Sequence, residues 1–390
     1  MDVRKKALDK HFEWNGKIEV ISRAKITSRE DLALAYTPGV AEACLAIADD
    51  PEKVYQLTRR NNLVGVITNG TAVLGLGNIG PSASMPVMEG KCVLFKEFAD
   101  VNAFPICIEA TDVETAVRTI EQLANSFGGI NLEDIAAPEC FEIERRLKES
   151  LDIPIFHDDQ HGTAIVVAAG LINALKLVHK SFADIKVVVN GAGSAGIAIA
   201  KHLLSFGVHD LILADKKGIL SSAYPELNSE QKKMLAVTNL ENLKGDLSTA
   251  LVNADVFIGV SAPNILNSEM VSKMASDSIV FAMANPTPEI MPDEAKAGGV
   301  AVMGTGRSDF PNQVNNVLAF PGVFKGALAV RARDINDEMK MAASHAIAGL
   351  IDPEELTPDY IIPDALDTRV AAAVCEAVKK AAVETGVARI

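Results

Sequence analysis

The chain has 390 residues, 48% of them hydrophobic and 23% charged, with 27 Gly and 17 Pro. These are the proportions of a globular protein too long for one ordinary core, so two domains are expected and low-complexity or collagen-like classes are excluded. A net charge of −14 argues against nucleic acid and anionic membranes as partners, but not against an anionic substrate in a cleft where cations converge.

Five cysteines, Cys44, Cys92, Cys107, Cys140 and Cys375, stand apart without CxxC spacing. An odd, scattered set fits a reducing compartment, and each reads as a small buried hydrophobe. The opening MDVRKKALDKHFEW has no apolar h-region, and the most apolar stretch, 164–178, is interrupted by Asn173 and Lys176. A cytoplasmic enzyme is the expectation.

In chain order, residues 1–157 mix short helices with strand-like runs at 63–67 and 92–95. Helical spacing covers 113–127 and 139–148, and a short buried strand at 153–156 leads into HDDQHGT. From Gly162 the pattern changes. A small-residue helix (163–179), a strand (186–190), a Gly-rich turn, a helix (195–206) and a strand (210–214) follow one another. Later strand-like runs lie at 256–260, 279–284 and 300–302, and two Ala-rich helical stretches, 317–351 and 365–385, close the chain. Alternating strands and helices predict an α/β protein: a Rossmann-type, doubly wound parallel sheet plus a second α/β domain made from both ends of the chain. The expected division is 1–157, 158–315 and 316–390, with the last part returning to the first and the substrate in the cleft between domains.

The pattern GxGxxG occurs twice, at Gly75–Gly80 and Gly191–Gly196, so context decides. The second copy follows the strand IKVVVN, opens the helix IAIAKHLLSFG and is followed by LILAD, whose Asp215 stands 24 residues after Gly191. That is a dinucleotide fingerprint: the backbone of Gly191, Ala192, Gly193, Ser194, Ala195 and Gly196 approaches a pyrophosphate at a helix N-terminus, and Asp215 bonds ribose hydroxyls. Asp215 favours NAD, while Lys216 and Lys217 leave NADP open. The first copy is followed by Pro81 and Pro86, which disfavour a regular helix, and reads as a tight turn near the substrate.

Outside that unit lie two acidic pairs, Glu133-Asp134 and Asp158-Asp159. Hard oxygen donors of this kind suit Mg²⁺ or Mn²⁺, although either pair alone also reads as a helix cap. His157 and His161 flank the second pair, but no third nitrogen or sulfur ligand follows at zinc spacing, and both read as hydrogen-bonded structural histidines.

Eight segments together resemble the malic enzyme family: YTPGVA, GLGNIGPSASMPVMEGK, LEDI, HDDQHGTA, GAGSAG, ANPTPE, TGRSDFPNQVNN and FPGVFKGAL. They occur in the family's order over nearly the whole chain, whose length resembles the compact bacterial and archaeal form. The resemblance implies oxidative decarboxylation of malate to pyruvate with NAD or NADP. It implies Glu133, Asp134 and Asp159 as metal ligands, Lys91 as general base, Tyr36 as general acid and Asp158 as supporting the catalytic pair. Asn285, Asn315 and Asn316 are implied at the substrate, with Asn285 also beside the cofactor. A homodimer is likewise expected. One departure stands out: the arginine that grips a malate carboxylate in larger members is missing from Thr71-Ala72-Val73-Leu74. Arg307, a backbone N–H or a residue from a partner subunit are the replacements open at this point. The competing classes are a metal-independent amino-acid dehydrogenase, a malolactic decarboxylase and a dinucleotide-sensing protein.

Overall fold

A computed structural model describes residues 3–73, 75–224 and 226–390. Leu74, at the end of the stretch lacking an arginine, lies outside them. Four short helices come first: α1 (Val3–Trp14), α2 (Arg29–Ala35), α3 (Val40–Asp49) and α4 (Val54–Leu57). The start of α2 is set by a capping box, in which Ser28 accepts from the Asp31 N–H and Asp31 accepts from the Ser28 N–H. None of residues 4–63 is buried. From this arm only the half-buried Ile18, among the described residues, packs against the core of its own chain.

The core begins with β1 (Leu63–Thr68), followed by α5 (Pro81–Ala99), β2 (Asn102–Cys107), α6 (Val113–Leu123), β3 (Gly129–Leu132), α7 (Glu139–Ser150) and β4 (Ile155–His157). The strands form a parallel sheet in the order β2-β1-β3-β4. Two expectations fail here. Residues 92–95 lie inside α5, and the prolines after the first glycine motif do not prevent a 19-residue helix. Pro81 occupies the first helical position, where its missing N–H has no intrahelical partner anyway, and Pro86 removes only one bond further on. A run that is apolar for four residues does not by itself distinguish strand from helix.

The helix α8 (Asp158–Leu177) crosses to the second sheet and begins five residues earlier than its sequence suggested, so both Asp158 and Asp159 sit in its first turn. Then come β5 (Lys186–Asn190), α9 (Ser194–Ser205), β6 (Asp210–Asp215), β7 (Gly218–Ile219), α10 (Ser229–Leu235), α11 (Leu247–Leu251), β8 (Val256–Gly259), α12 (Ser268–Val271), β9 (Ile279–Ala282), α13 (Pro292–Ala297) and β10 (Val302–Thr305). The order is β10-β9-β8-β5-β6-β7, parallel except for the short β7. It reverses between β5 and β8, the switch point at which doubly wound sheets bind ligands. The interior strands are apolar on both faces, VVV in β5 and VFI in β8, because helices cover both sides.

The C-terminal stretch holds α14 (Phe320–Ala329), α15 (Asp337–Ala348) and α16 (Val370–Glu384). The chain does return to the first sheet. Phe320 and Phe324 of α14 stack edge-on against Phe95 of α5 at 4.8 and 5.3 Å, and Phe324 also meets Phe156 of β4 at 5.7 Å. The α15 helix instead lies along α8 and α9. There Ser344 donates to the Ile165 carbonyl at 3.0 Å, and its hydroxyl lies 3.0 Å from His202 Nε2.

Burial of His202, with the ammonium of Lys340 adding to it, pushes its pKa down to about 3. The unfolded imidazole, ordinary at about 6.5, takes up a proton that the folded one refuses. The stability this neutral histidine contributes is complete above about pH 6.5 and declines as pH falls toward 3. Urea melts should show roughly 1–2 kcal/mol lost between pH 6.5 and 5 through this group. The loss should be absent in His202→Gln, and an unchanged pH dependence in that variant would remove His202 as the cause.

Candidate active site

The carboxyl ends of the two parallel sheets face one cavity of about 450 Å³. From the first sheet it takes Ala72 and Gly75 after β1, Asp134 and Ile135 after β3, and Asp159 after β4. From the second it takes Ser194 and Ala195 after β5, Val260 and Ser261 after β8, Ala284 and Asn285 after β9, and Gly306 after β10. Asn315 and Asn316 complete the wall at the start of the C-terminal stretch.

Behind the acidic wall Lys91, on the buried face of α5, points between two carboxylates. Its Nζ lies 2.7 Å from Asp158 Oδ2 and 2.8 Å from Glu133 Oε1, with the Phe320 ring 4.3 Å away. Asn316 donates to the same Asp158 oxygen, and Asn131 donates to Glu133 Oε2 at 2.7 Å. Asp134 follows β3 in a left-handed conformation, φ +53°, and its N–H donates to Asp159 Oδ2 at 2.9 Å. Asp is among the few residues that tolerate this backbone. One carboxylate oxygen each from Glu133, Asp134 and Asp159 lie within 4.8 Å of one another.

Four carboxylates thus surround one ammonium in a place largely closed to water. Burial raises Asp158 to about 6 against the pull of Lys91. Burial, reinforced by Asp159 and Asp158, also raises Glu133 well above the usual carboxylate range. Burial works against the charged form of Lys91, but Asp158 and Glu133 outweigh it and hold its pKa above the ordinary lysine value. Burial alone would lower a lysine. With both carboxylates charged, the opposite holds, because the opposite charges are closer than any apolar surface can offset. The cluster carries more negative charge than its one lysine neutralises. Three converging hard oxygen donors therefore fit a divalent cation such as Mg²⁺ or Mn²⁺.

The second glycine motif forms the turn from β5 to α9. Gly191 has φ +120°, and a Cβ there would lie 2.6 Å from the Val260 carbonyl oxygen; one on Gly196 would lie 1.8 Å from the Gly191 oxygen. A Cβ on Gly193 would meet nothing within 4 Å, so the N-terminus of α9 is open to an incoming anion. The amide of Gln231 on α10 donates to the Ala192 carbonyl at 3.0 Å and fixes the loop. Asp215 ends β6. Its Oδ1 accepts from the Lys217 N–H at 2.7 Å and from the Tyr224 hydroxyl, while Lys216 is exposed on the turn beyond. The first motif is a turn, as expected, with Gly75, Gly77 and Gly80 all at φ near +77°.

Some expected residues do not come together. Tyr36 closes α2 with 67% of its surface exposed and does not line the cavity. Arg307 is engaged with Asp309 at 2.6 and 2.8 Å and with the Pro286 carbonyl at 2.9 Å, and does not line the cavity. His161 is hydrogen-bonded, with Nε2 2.7 Å from Glu144 Oε1, but neither ring nitrogen of His157 makes a hydrogen bond among the described residues, its Nδ1 lying 3.8 Å from Asp159 Oδ2. Cys44 is exposed, unlike Cys92, Cys140 and Cys375. Asn315 faces the cavity while its Oδ1 caps the following turn at Val317 N.

Sequence reasoning missed Ser261 and Glu289. Glu289 is wholly buried. It accepts from the Ser261 and Ala284 N–H groups, both at 3.0 Å, and so ties the loops after β8 and β9 into one wall. An acid three residues after Pro286 in ANPTPE is the only signal, and by itself it reads as a surface residue.

Two family models divide the chain between them: "Malic enzyme, N-terminal domain" over residues 15–148 and "Malic enzyme, NAD binding domain" over residues 160–383. The bifunctional malic/malolactic enzyme of Bacillus subtilis is 58% identical over all of this chain and 95% of its own length. The NAD-dependent malic enzyme of Geobacillus stearothermophilus is 58% identical over 96% of this chain and 78% of its own. The NADP-dependent malic enzyme of Escherichia coli is 47% identical over 99% of this chain, which spans only 52% of that protein. Among solved structures, the NAD-dependent malic enzyme of Thermotoga maritima superposes with a TM-score of 0.92 at 51% identity, over 96% of this chain and 98% of that one. The malic enzyme of Pyrococcus horikoshii gives 0.94 at 49%, over 99% and 92%. The two models span nearly all of the chain and the relatives match it end to end: it belongs to the malic enzyme family, which oxidatively decarboxylates malate with NAD(P).

Proposed function

We propose that this chain converts (S)-malate to pyruvate and carbon dioxide in the cavity between the two sheets, with NAD preferred over NADP, and that it does so as a cytoplasmic homodimer. Residues 1–157 and 316–390 form the substrate side and 158–315 the dinucleotide side. One observation carries the reading: Asp134 and Asp159 line the same cavity as the glycine turn at Ser194 and Ala195, and behind them Glu133, whose oxygen converges with theirs, grips Lys91 together with Asp158.

Glu133, Asp134 and Asp159 would hold Mg²⁺ or Mn²⁺, and the Gly191–Gly196 turn with Asp215 the dinucleotide. When bound, the dinucleotide supplies the hydride acceptor and the ion supplies positive charge beside the keto oxygen as carbon dioxide departs. The rest is the work of this chain's own side chains. Lys91 removes the C2 hydroxyl proton, which an aliphatic alcohol gives up only to a positioned base. Glu133 links the two parts of the site, because its Oε1 faces Lys91 and it belongs to the trio of ligands. A cation held by Glu133 would supply positive charge that offsets the field of this carboxylate at Lys91; Asp158, 2.7 Å from the Lys91 ammonium, is the carboxylate placed to accept its proton. Asn316 keeps Asp158 in place for the transfer. Asn285 and Asn315 orient the substrate from the opposite wall. Asp215 disfavours a 2′-phosphate, which is the argument for NAD.

Enolpyruvate then needs a proton on C3, the role assigned to Tyr36. Within one chain Tyr36 stays outside the cavity, so a second copy has to deliver it. The arm that carries it is built for burial against something. Twelve of the 22 exposed large hydrophobic side chains among the described residues lie between Leu8 and Leu57. Residues 29–49 are apolar enough in length and composition to cross a membrane, yet they break at Tyr36–Gly39 into two short helices. An interface between copies buries such a surface without a bilayer and sets Tyr36 over the partner's Lys91.

The Bacillus relative is named for a malolactic activity as well. In an assay with malate and Mn²⁺, the malic reaction releases NADH, whereas the malolactic reaction gives lactate with none. Lys91→Ala should lower kcat by at least about a hundredfold while NADH still binds, and near-normal turnover would remove Lys91 from the mechanism. Saturating Mn²⁺ should stabilise the protein by about 2–3 kcal/mol at one hundred times its Kd. Asp159→Asn should abolish that gain in a thermal melt, and an equal gain in the variant would place the ion elsewhere. Mixing inactive Tyr36→Phe with inactive Lys91→Ala should restore turnover, because the mixed dimer holds one site with both residues intact. Subunit exchange without recovery would assign the proton to another group.

A further inference from the structure

A second cavity, of about 340 Å³, lies on the other side of α8 from the catalytic cleft. It is the size of a small-metabolite pocket. Its walls are α7, α8, α9, α10 and α15, so elements from both sheets and from the C-terminal stretch meet there. The helices α8 and α9 serve both cavities. Asp159, Thr163 and Val166 face the cleft, while Gln160, His161 and Ala164 face the second cavity. Ser194 and Ala195 open α9 into the cleft, while Lys201 and His202 flank the second cavity.

The lining is basic in a chain whose net charge is −14. Lys201, Lys233 and Lys340 converge on it with Lys148, which also meets Asp334 at 3.3 Å, while Arg145 at its edge is taken up by Glu142 and by Glu149 at 2.7 Å. Its three carboxylates are already engaged: Glu144 by His161 at 2.7 Å and Lys148 at 3.4 Å, Glu230 by Lys201 at 2.9 Å and by Lys233, and Asp337 by Lys340 at 3.0 Å. One Glu230 thus serves two lysines. Lys340 is buried, yet its one carboxylate partner, Asp337, has a side chain 73% exposed. Burial and the neighbouring Lys148 accordingly hold the Lys340 ammonium below its ordinary pKa. Gln160 supplies an independent sign. It is 3% exposed, and its side-chain amide nitrogen is buried with no acceptor among the described residues. The unmatched Gln160 amide and the Lys340 ammonium, whose carboxylate partner is exposed, line the same cavity, and each such group left alone is costly.

We infer that this cavity is a second ligand site, which takes a small dianion of the phosphate or dicarboxylate class between Lys340, Lys201 and the Gln160 amide, and that occupancy tunes the catalytic cleft. The chain provides two direct links. Gln160 immediately follows Asp159 in the first turn of α8, and Glu230 immediately precedes Gln231, which holds the glycine turn at Ala192. A dianion drawing Lys201 and Lys233 from Glu230 shifts α10, and with it the loop that would seat a pyrophosphate. By linkage, the dianion's effect on dinucleotide affinity equals the dinucleotide's effect on the dianion.

The test uses inorganic phosphate and succinate as probes, titrated at millimolar concentration into the intact protein. Thermal shift reports binding, and NADH fluorescence reports dinucleotide affinity. At least one probe should bind and change the NADH Kd by threefold or more, and the probe that does so identifies the source of the anion. Lys201→Glu, whose side chain is half exposed and leaves the core intact, should weaken that binding about tenfold or more. Lys340→Met should do the same, and Lys91→Ala should leave it unchanged. Failure of both probes to bind the wild-type protein would overturn the site. So would binding that disappears in Lys91→Ala but survives Lys201→Glu, since the anion would then lie in the catalytic cleft. Binding of a probe with no change in NADH affinity would refute the coupling.

Discussion

The molecule is organised around a buried excess of negative charge at the start of α8. Glu133, Asp134, Asp158 and Asp159 come from the ends of two neighbouring strands, and the Lys91 ammonium meets Glu133 and Asp158 from inside. Such a cluster is costly unless the remaining charge is neutralised. Much of the surrounding structure addresses that cost. Asn131 and Asn316 donate to the carboxylates, the Asp134 N–H donates to Asp159, and the ring of Phe320 covers the Lys91 ammonium. Helix α8 places both aspartates at its positive end, where the macrodipole favours them.

That arrangement explains why the chain doubles back. Phe320 and Asn316 belong to the C-terminal stretch, yet they complete a site made by the first sheet. The Phe95, Phe320, Phe324 and Phe156 rings lock the returning helix beneath the lysine. The fold thereby brings the carboxyl ends of two separate parallel sheets to one cavity. One sheet contributes the carboxylates and the lysine they hold, and the other a backbone turn open to an anion. Oxidation needs both at once, and neither sheet has both.

Much of this was legible in the sequence, for physical reasons that also mark where reading fails. The strand–glycine–helix–strand unit from Lys186 to Asp215 is local. Its apolar runs, its glycines and its terminal Asp lie within 30 residues, so periodicity and turn chemistry suffice. The acidic pairs were visible as residue types, but their meeting depends on β3 and β4 lying side by side, which only the family resemblance supplied. Strands β2 and β3 were missed: β2 is half-buried and contains Pro105, and β3 has only four residues. Residues 92–95 read as strand because a short apolar run carries no period. Tyr36 was assigned a role from its motif, and no pattern within one chain could say that its side chain stays at the surface.

The sign of the Lys91 perturbation follows from the same geometry and constrains how the cluster can work. A lysine between two carboxylates is a cation held in place, not a base. To become a base it must lose the field of at least one of them. Asp158 cannot be the one released, because Asn316 and the start of α8 fix it and nothing in the set of converging oxygens includes it. Glu133 can, because it is the one carboxylate that both touches Lys91 and belongs to that set. Charge brought to the acidic trio is therefore felt at the lysine through a single shared side chain.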